Sequence, residues 1–236
     1  PRLRVMLAQT ERRAGNVDAA EAARTRLLAV PGSRTAARLG LGEISRLRGR
    51  TAEARQGLEQ IRSEDAGAVI PRLALARMML AASETSEAAT VLSEVVAISP
   101  QDAGVRLQVA RLLGEFGRYD EAMRQVQQAV ELAPESADAW LEMARLQSAL
   151  DRQGPARQSA EKAVALDRDS IEAVGLLALM DLRENRGDAA LRGAKELSAR
   201  RPGDPRAAVL LGDVRMALQQ PREAAETYGR AYALRA

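Results

Sequence analysis

The chain of 236 residues contains no cysteine and no histidine. Without cysteine there is no disulfide, no thiol nucleophile and no thiolate metal site. Without histidine, Ser-His-Asp triads, imidazole acid–base chemistry and most zinc sites are excluded. Aromatic residues make up only 2%, so the core must be Leu, Ala, Val and Met, packed by close approach of backbones. The longest apolar run, Ala173 to Met180, is far short of the roughly twenty residues that span a bilayer. A net charge of +3 is by itself no nucleic-acid footprint. Lysine occurs only at Lys162 and Lys195, and every other basic residue is arginine. That bias reads either as a GC-rich, bacterial coding sequence or as equipment for carboxylate or phosphate recognition, and the absence of cysteine suits the periplasm.

What the chain does have is a period. Alanine recurs every 34 residues, at Ala20, Ala54, Ala88, Ala122, Ala156, Ala190 and Ala224. Such a period means stacked supersecondary units and overrides any segment-by-segment reading. Repeats start at Pro1, Thr35, Val69, Ala103, Ala137, Ile171 and Pro205, giving boundaries 1–34, 35–68, 69–102, 103–136, 137–170, 171–204 and 205–236. Counting slots within each repeat, slot 8 is always Ala or Gly: Ala8, Gly42, Ala76, Ala110, Ala144, Ala178, Gly212. Slot 7 is always apolar, from Leu7 to Leu211. Pro100, Pro134 and Pro202 share slot 32, with Pro31 one place early. Small residues at slots 8 and 20 let two helices approach closely, and proline near slot 32 is expected to end the second helix.

Each repeat reads as two helices. Val105, Val109, Leu112, Leu113 and Phe116 recur at helical spacing. A turn follows at Gly117 to Asp120, with Asp120 as candidate cap and Glu121 favouring the positive end of the next helix. Acidic residues recur there, at Asp18, Glu53, Glu87, Asp188 and Glu223. No strand pattern is present.

These residues resemble the tetratricopeptide repeat family, whose units are 34-residue helix–turn–helix pairs with small residues at slots 8, 20 and 27 and proline at 32. Trp140 matches the family's aromatic at slot 4, and Tyr119 and Tyr228 those at slots 17 and 24. The resemblance covers the whole chain and implies an all-α fold, a right-handed α-α superhelix of about seven repeats in a single solenoid. There are departures. Slot 4 is arginine in four repeats (Arg4, Arg38, Arg72, Arg106), where the stem can cover a helix while the head stays wet. Arg24 occupies an apolar slot. Ala66 and Arg168 stand where proline is expected, and residues 63–67 read as a soft junction.

Chemistry is sparse. Glu64-Asp65 and Asp167/Asp169 are close in sequence but fall at helix ends, as solvated turn residues. Gly40-Leu41-Gly42 is a fragment of a dinucleotide fingerprint without strand or third glycine; close packing accounts for Gly42. No catalytic residue, cofactor or metal site is expected. The resemblance instead implies a concave groove lined by slots 2, 5, 6, 9, 12 and 13 of successive first helices. Slot 9 places Arg77, Arg111 and Arg145 on one line. Slot 5 is an apolar strip including Leu73, Leu107 and Leu141, beside Gln108, Glu142 and Asp138. A cationic ladder beside an apolar strip suits an acidic or amphipathic segment of a partner, or an enzyme domain carrying one. Two plainer readings stand beside it. The arginines pair locally, Arg111 with Glu115 and Arg145 with Glu142, and the leucines pack between helices. The chaperone-tail clamp of some family members is excluded, because its Lys and Asn are missing from these slots.

The leading expectation is a non-catalytic protein-interaction scaffold. The Arg-rich, Cys-free, uninterrupted array resembles the periplasmic arrays of bacterial exopolysaccharide exporters. The alternatives are RNA binding by helical repeats, against which the aliphatic slot 5 argues, and direct polysaccharide binding, for which Trp140, Tyr119 and Phe116 are too few. With no polar cap at either end, the chain is expected to be part of a longer array. Leu211, Val214, Leu218, Tyr228 and Tyr232 should then lie near an uncovered end and favour self-association.

Overall fold

The computed structural model describes residues 17–28 and 34–234. Over these residues the chain is all-helical, without a strand, in thirteen helices. They are α1 (Val17–Leu27), α2 (Arg34–Leu47), α3 (Thr51–Glu64), α4 (Val69–Ala81), α5 (Thr85–Ile98), α6 (Ala103–Glu115) and α7 (Tyr119–Leu132), followed by α8 (Ala137–Ala149), α9 (Gln153–Leu166), α10 (Ile171–Arg183), α11 (Gly187–Arg200), α12 (Pro205–Ala217) and α13 (Pro221–Ala233). Even-numbered helices are first helices of repeats and odd-numbered ones are second helices. The helices form two compact halves, Pro1–Pro100 with α1 to α5 and Gln101–Ala236 with α6 to α13. Within each half, consecutive helices pack on one another. The expectations at Arg4, Leu7, Ala8 and Pro31 lie outside the described residues, as does the side chain of Ala20.

The seam is the one the small residues demand. Ala54, Ala88, Ala122, Ala156 and Ala224 are fully buried, as are Ala76, Ala110 and Ala144 opposite them at slot 8. Slot 7 adds Leu75, Val109, Met143 and Leu211, all buried. Two bulky residues at slot 24 change the pattern. The Tyr228 ring lies where a side chain at Gly212 would begin, 2.4 Å from an added Cβ. Arg24 is buried, and its guanidinium fills the space a Cβ at Gly40 would need. A Cβ at Gly40 would have to displace the Arg24 head, whereas one at Gly42 would make only ordinary contacts from 3.5 Å.

The turn between paired helices obeys a rule that the sequence pattern hides. Slot 15 has positive φ in every described repeat: Gly49 (72°), Ser83 (63°), Gly117 (72°), Asp151 (57°), Asn185 (57°) and Gln219 (58°). This left-handed residue closes a Schellman motif. The next amide donates back to the slot 11 carbonyl, as from Arg118 to Leu113 at 2.9 Å and from Arg186 to Asp181 at 2.7 Å. No side chain caps α3, α5, α7, α9, α11 or α13. The N-cap of α7 is Arg118, with no capping side chain, and Asp120 sits in the first turn beside Glu121. Side-chain caps occur instead at the starts of first helices, on Asp102, Ser136, Ser170 and Asp204.

Proline does not set the end of the second helices. Helices α3 and α9, followed by Ala66 and Arg168, stop at the same slot as α5, α7 and α11, which are followed by proline. Where proline is missing, arginine satisfies the loop carbonyls. Arg200 and Arg201 donate to the carbonyls of Arg168 and Asp169, at 2.6 and 2.9 Å. In the N-terminal half, Arg72 is only 5% exposed. Its guanidinium donates to the carbonyls of Asp65 (2.9 Å), Ala68 (3.0 Å) and Arg62 (3.0 Å), and to Glu94 (3.2 Å). The head expected to stay wet is thus buried, and the junction at residues 63–67 is stapled by it. Arg62 also grips Glu94, at 2.9 and 2.5 Å. Hydrogen bonds from Arg62 and then Arg72 hold the Glu94 carboxyl below its ordinary range.

At the other end of the chain, Leu211 and Val214 are buried, with Leu218 partly buried beside them. Of the residues expected near an open end, Tyr232 is the strongly exposed one, at 79%.

Ser83→Gly should raise stability by about 0.5–1 kcal/mol, because glycine relieves the left-handed strain at a small entropic cost. Gly117→Ala should lower it by a similar amount; urea melts of the two variants check the pair. Arg72→Ala should cost about 3 kcal/mol, since it strips donors from buried carbonyls and leaves Glu94 with one cation. Because the folded pKa of Glu94 is depressed, its contribution is present above the unfolded carboxyl pKa of about 4.3 and is lost as pH falls through the folded value. The stability gap between wild type and Glu94→Gln should therefore close on acidification below about pH 4.

Candidate functional site: the first-helix stripe

In the C-terminal half the first helices α6 and α8 touch, as do α10 and α12, so slots 2, 5, 9 and 12 run as a stripe across each of these pairs. On α6 and α8 it is charged. Arg111 reaches across to α8, where it pairs with Glu142 at 3.4 Å and Asp138 at 3.6 Å. Arg145 pairs with the same Glu142 at 3.5 Å, one turn along its own helix. Glu142 is only 7% exposed. A buried carboxylate is expensive unless paired, and two guanidinia share that role here.

The local-pairing reading therefore holds for Arg145, while Arg111 turns to the next first helix. The two arginines with Asp138 and Glu142 form a quartet of zero formal charge, so this stretch is not a bare cationic ladder. Gln108 is exposed beside it. Leu107 and Leu141 are buried, at 8% and 4% exposure. Leu141 packs with Ala163 and Ala173, flanked by Trp140 and Leu176. This part of the slot 5 strip is helix packing and offers little surface to a partner. Arg77 and Leu73 belong to the N-terminal half, on α4, where Arg77 is exposed and Leu73 half-buried.

On α10 and α12 the stripe turns apolar, and here the sequence reading missed the main feature. Leu179 at slot 9 is 45% exposed and Met216 at slot 12 is 50% exposed. Half-buried Leu176, Leu182, Val209 and Leu210 share these helices. The nearby carboxylates are engaged. Glu172 pairs with Arg206 at 3.5 Å. Asp213 accepts from the Tyr228 hydroxyl at 2.7 Å, which raises the pKa of that phenol. The available signal was Leu at slot 9, a position polar in every other repeat.

Among the described residues no cluster of three acidic side chains could hold a metal, and no helix is long and apolar enough to cross a membrane.

Three sequence profiles described as tetratricopeptide repeat match the chain, at residues 5–69, 45–112 and 103–146. The chain belongs to the tetratricopeptide repeat family. Repeats of this family are typically non-catalytic and bind other proteins. No curated protein matches the chain in sequence. Solved structures show the fold. A tetratricopeptide repeat protein from Parabacteroides merdae aligns over 99% of this chain and 92% of its own, with TM-score 0.62 and 15% identity. Pseudomonas aeruginosa PilF aligns over 83% and 88%, with TM-score 0.58 and 21% identity. A MamA structure from Desulfovibrio magneticus, residue 41 to its end, aligns over 71% and 95%, with TM-score 0.53 and 19% identity. At such identities the likeness is one of fold, and 346 solved chains share it, so it singles out no partner.

Glu142→Ala should cost about 2 kcal/mol, because it leaves Arg111 and Arg145 facing one another without their shared carboxylate. Asp138→Ala, at an exposed position, should cost under about 0.5 kcal/mol in the same urea melts.

Proposed function

We propose that the chain is a non-catalytic scaffold that binds a partner protein along the first-helix stripe of its C-terminal half. The observation that carries this reading is the exposure of Leu179 and Met216 on neighbouring first helices. Scattered exposed apolar residues are ordinary, but two on the touching first helices α10 and α12 fit an interaction patch. The partner segment seats apolar side chains on Leu179 and Met216. Arg111 and Arg145 orient its carboxylates by exchanging part of their grip on Asp138 and Glu142. We place this scaffold in the bacterial envelope, in an exopolysaccharide or related secretion system, on the arginine-rich, cysteine-free composition. There it would hold an enzyme domain or another acidic, apolar segment in position.

The test is capture from the native organism followed by titration of the purified partner. Leu179→Gln with Met216→Gln should weaken binding by more than tenfold, or about 1.4 kcal/mol, with the helical circular dichroism unchanged. Arg111 and Arg145 both changed to Glu should weaken it by at least about tenfold and remove its salt dependence. Parent-like affinity in both variants would overturn the stripe as the binding surface. Labelled RNA that binds the parent at low salt and is released at high salt would favour the nucleic-acid reading.

A further inference from the structure

The second-helix side of the C-terminal half carries a half-enclosed crevice of about 70 Å³. It is lined by Val164 of α9, Val174 and Leu177 of α10 and Gly193 of α11, among others. Val174 and Leu177 stand at slots 4 and 7, so the crevice is distinct from the stripe formed by slots 2, 5, 9 and 12. A drug-sized ligand needs roughly 300 Å³ or more, so the space fits a single aliphatic side chain. Its apolar walls give a trapped water few partners, which favours an apolar occupant.

Gly193 lines the crevice without a side chain. It lies inside α11, where glycine is unfavourable relative to alanine. Nothing steric demands it: an added Cβ would meet only Val174 Cγ1, at an ordinary 3.9 Å. The rim carries uneven charge. Asp181 is neutralised by Arg157 at 2.7 Å and Arg186 at 3.1 Å. Arg200 is engaged by Asp169 at 2.9 Å and by the Arg168 carbonyl at 2.6 Å. Glu196 is 59% exposed, and the cation it meets, Arg200, is 3.7 Å away and already committed. Among the charged residues that line the crevice, Glu196 is thus the least engaged.

We propose that this crevice is a docking hole for one aliphatic side chain of a partner protein, carried beside a lysine or arginine that meets Glu196. It is a second contact surface, independent of the first-helix stripe.

The probe is the dipeptide N-acetyl-Leu-Lys-amide, titrated at millimolar concentration into the full chain and followed by amide NMR. The expected result is saturable shifts at Val174, Leu177 and Gly193. N-acetyl-Ala-Lys-amide and N-acetyl-Leu-Glu-amide should each bind at least threefold more weakly. Gly193→Val, which fills the hole, should abolish the shifts while its melting temperature stays at or above the parent's. Gly57→Val is the control, since Gly57 occupies the same slot in α3 with nothing within 4 Å of an added Cβ; it should leave the shifts unchanged. Glu196→Gln should erase the preference for lysine over glutamate. Equal shifts in parent and Gly193→Val, or equal binding of the Lys and Glu dipeptides to the parent, would overturn the proposal. Because the stripe lies on other slots, Gly193→Val should leave the effects of the Leu179 and Met216 changes intact, so the two surfaces fail or succeed separately.

Discussion

Close approach of two helices at an alanine seam is the constraint on which the rest of this structure depends. With so few aromatics, no repeat can be held by one large side chain wedged between helices. Stability must come from many short contacts between backbones brought near one another, and only Ala or Gly at slots 8 and 20 permits that approach. The chain length per repeat then follows. A first helix of fixed length, a three-residue reversal and a second helix of fixed length recur because each seam must meet its counterpart in register. Exceptions come in matched pairs: the Tyr228 ring sits over Gly212, and the Arg24 head over Gly40.

Arginine takes over the structural work that larger or more specialised residues would do. Arg72 stapling three carbonyls, Arg200 and Arg201 at the junction without proline, and Arg157 with Arg186 on buried Asp181 all use the planar fork to satisfy several acceptors at once. Lysine, a point charge on a flexible stem, could not bridge such sets. The arginine bias that first reads as a coding signature is therefore also built into the junctions. It explains why so much positive charge leaves so little free cationic surface: guanidinia in the best positions are already committed to carboxylates or backbone.

The repeat, its helical hairpins and the buried alanine positions were legible in the sequence because they repeat with a fixed period. Features tied to conformation were not. Slot 15 holds Gly, Ser, Asp, Asn or Gln, so no residue identity announces that every one of them is left-handed; the signal is the turn geometry shared among them. Asp120 looked like a cap because its residue type is right, but the Schellman reversal places the helix start earlier. At the stripe, spacing located the correct helices while burial redistributed the roles. Leu107 and Leu141 sank into the seam, Glu142 became the shared partner of two arginines, and Leu179 emerged as surface. Partner choice between neighbouring helices is a three-dimensional property, and a one-dimensional slot list cannot assign it.

The account's central claim is that the alanine seam, set by slots 8 and 20, holds each repeat together. Denaturant melts of two matched substitutions in one helix test it most directly. Ala122→Glu puts a charge and four extra side-chain atoms into a fully buried position. It should cost about 3 kcal/mol or more. Arg124→Glu makes the same new residue at an exposed position two places along α7 and should change stability by under about 0.5 kcal/mol. Equal unfolding midpoints for the two variants would contradict the seam and the 34-residue register built on it.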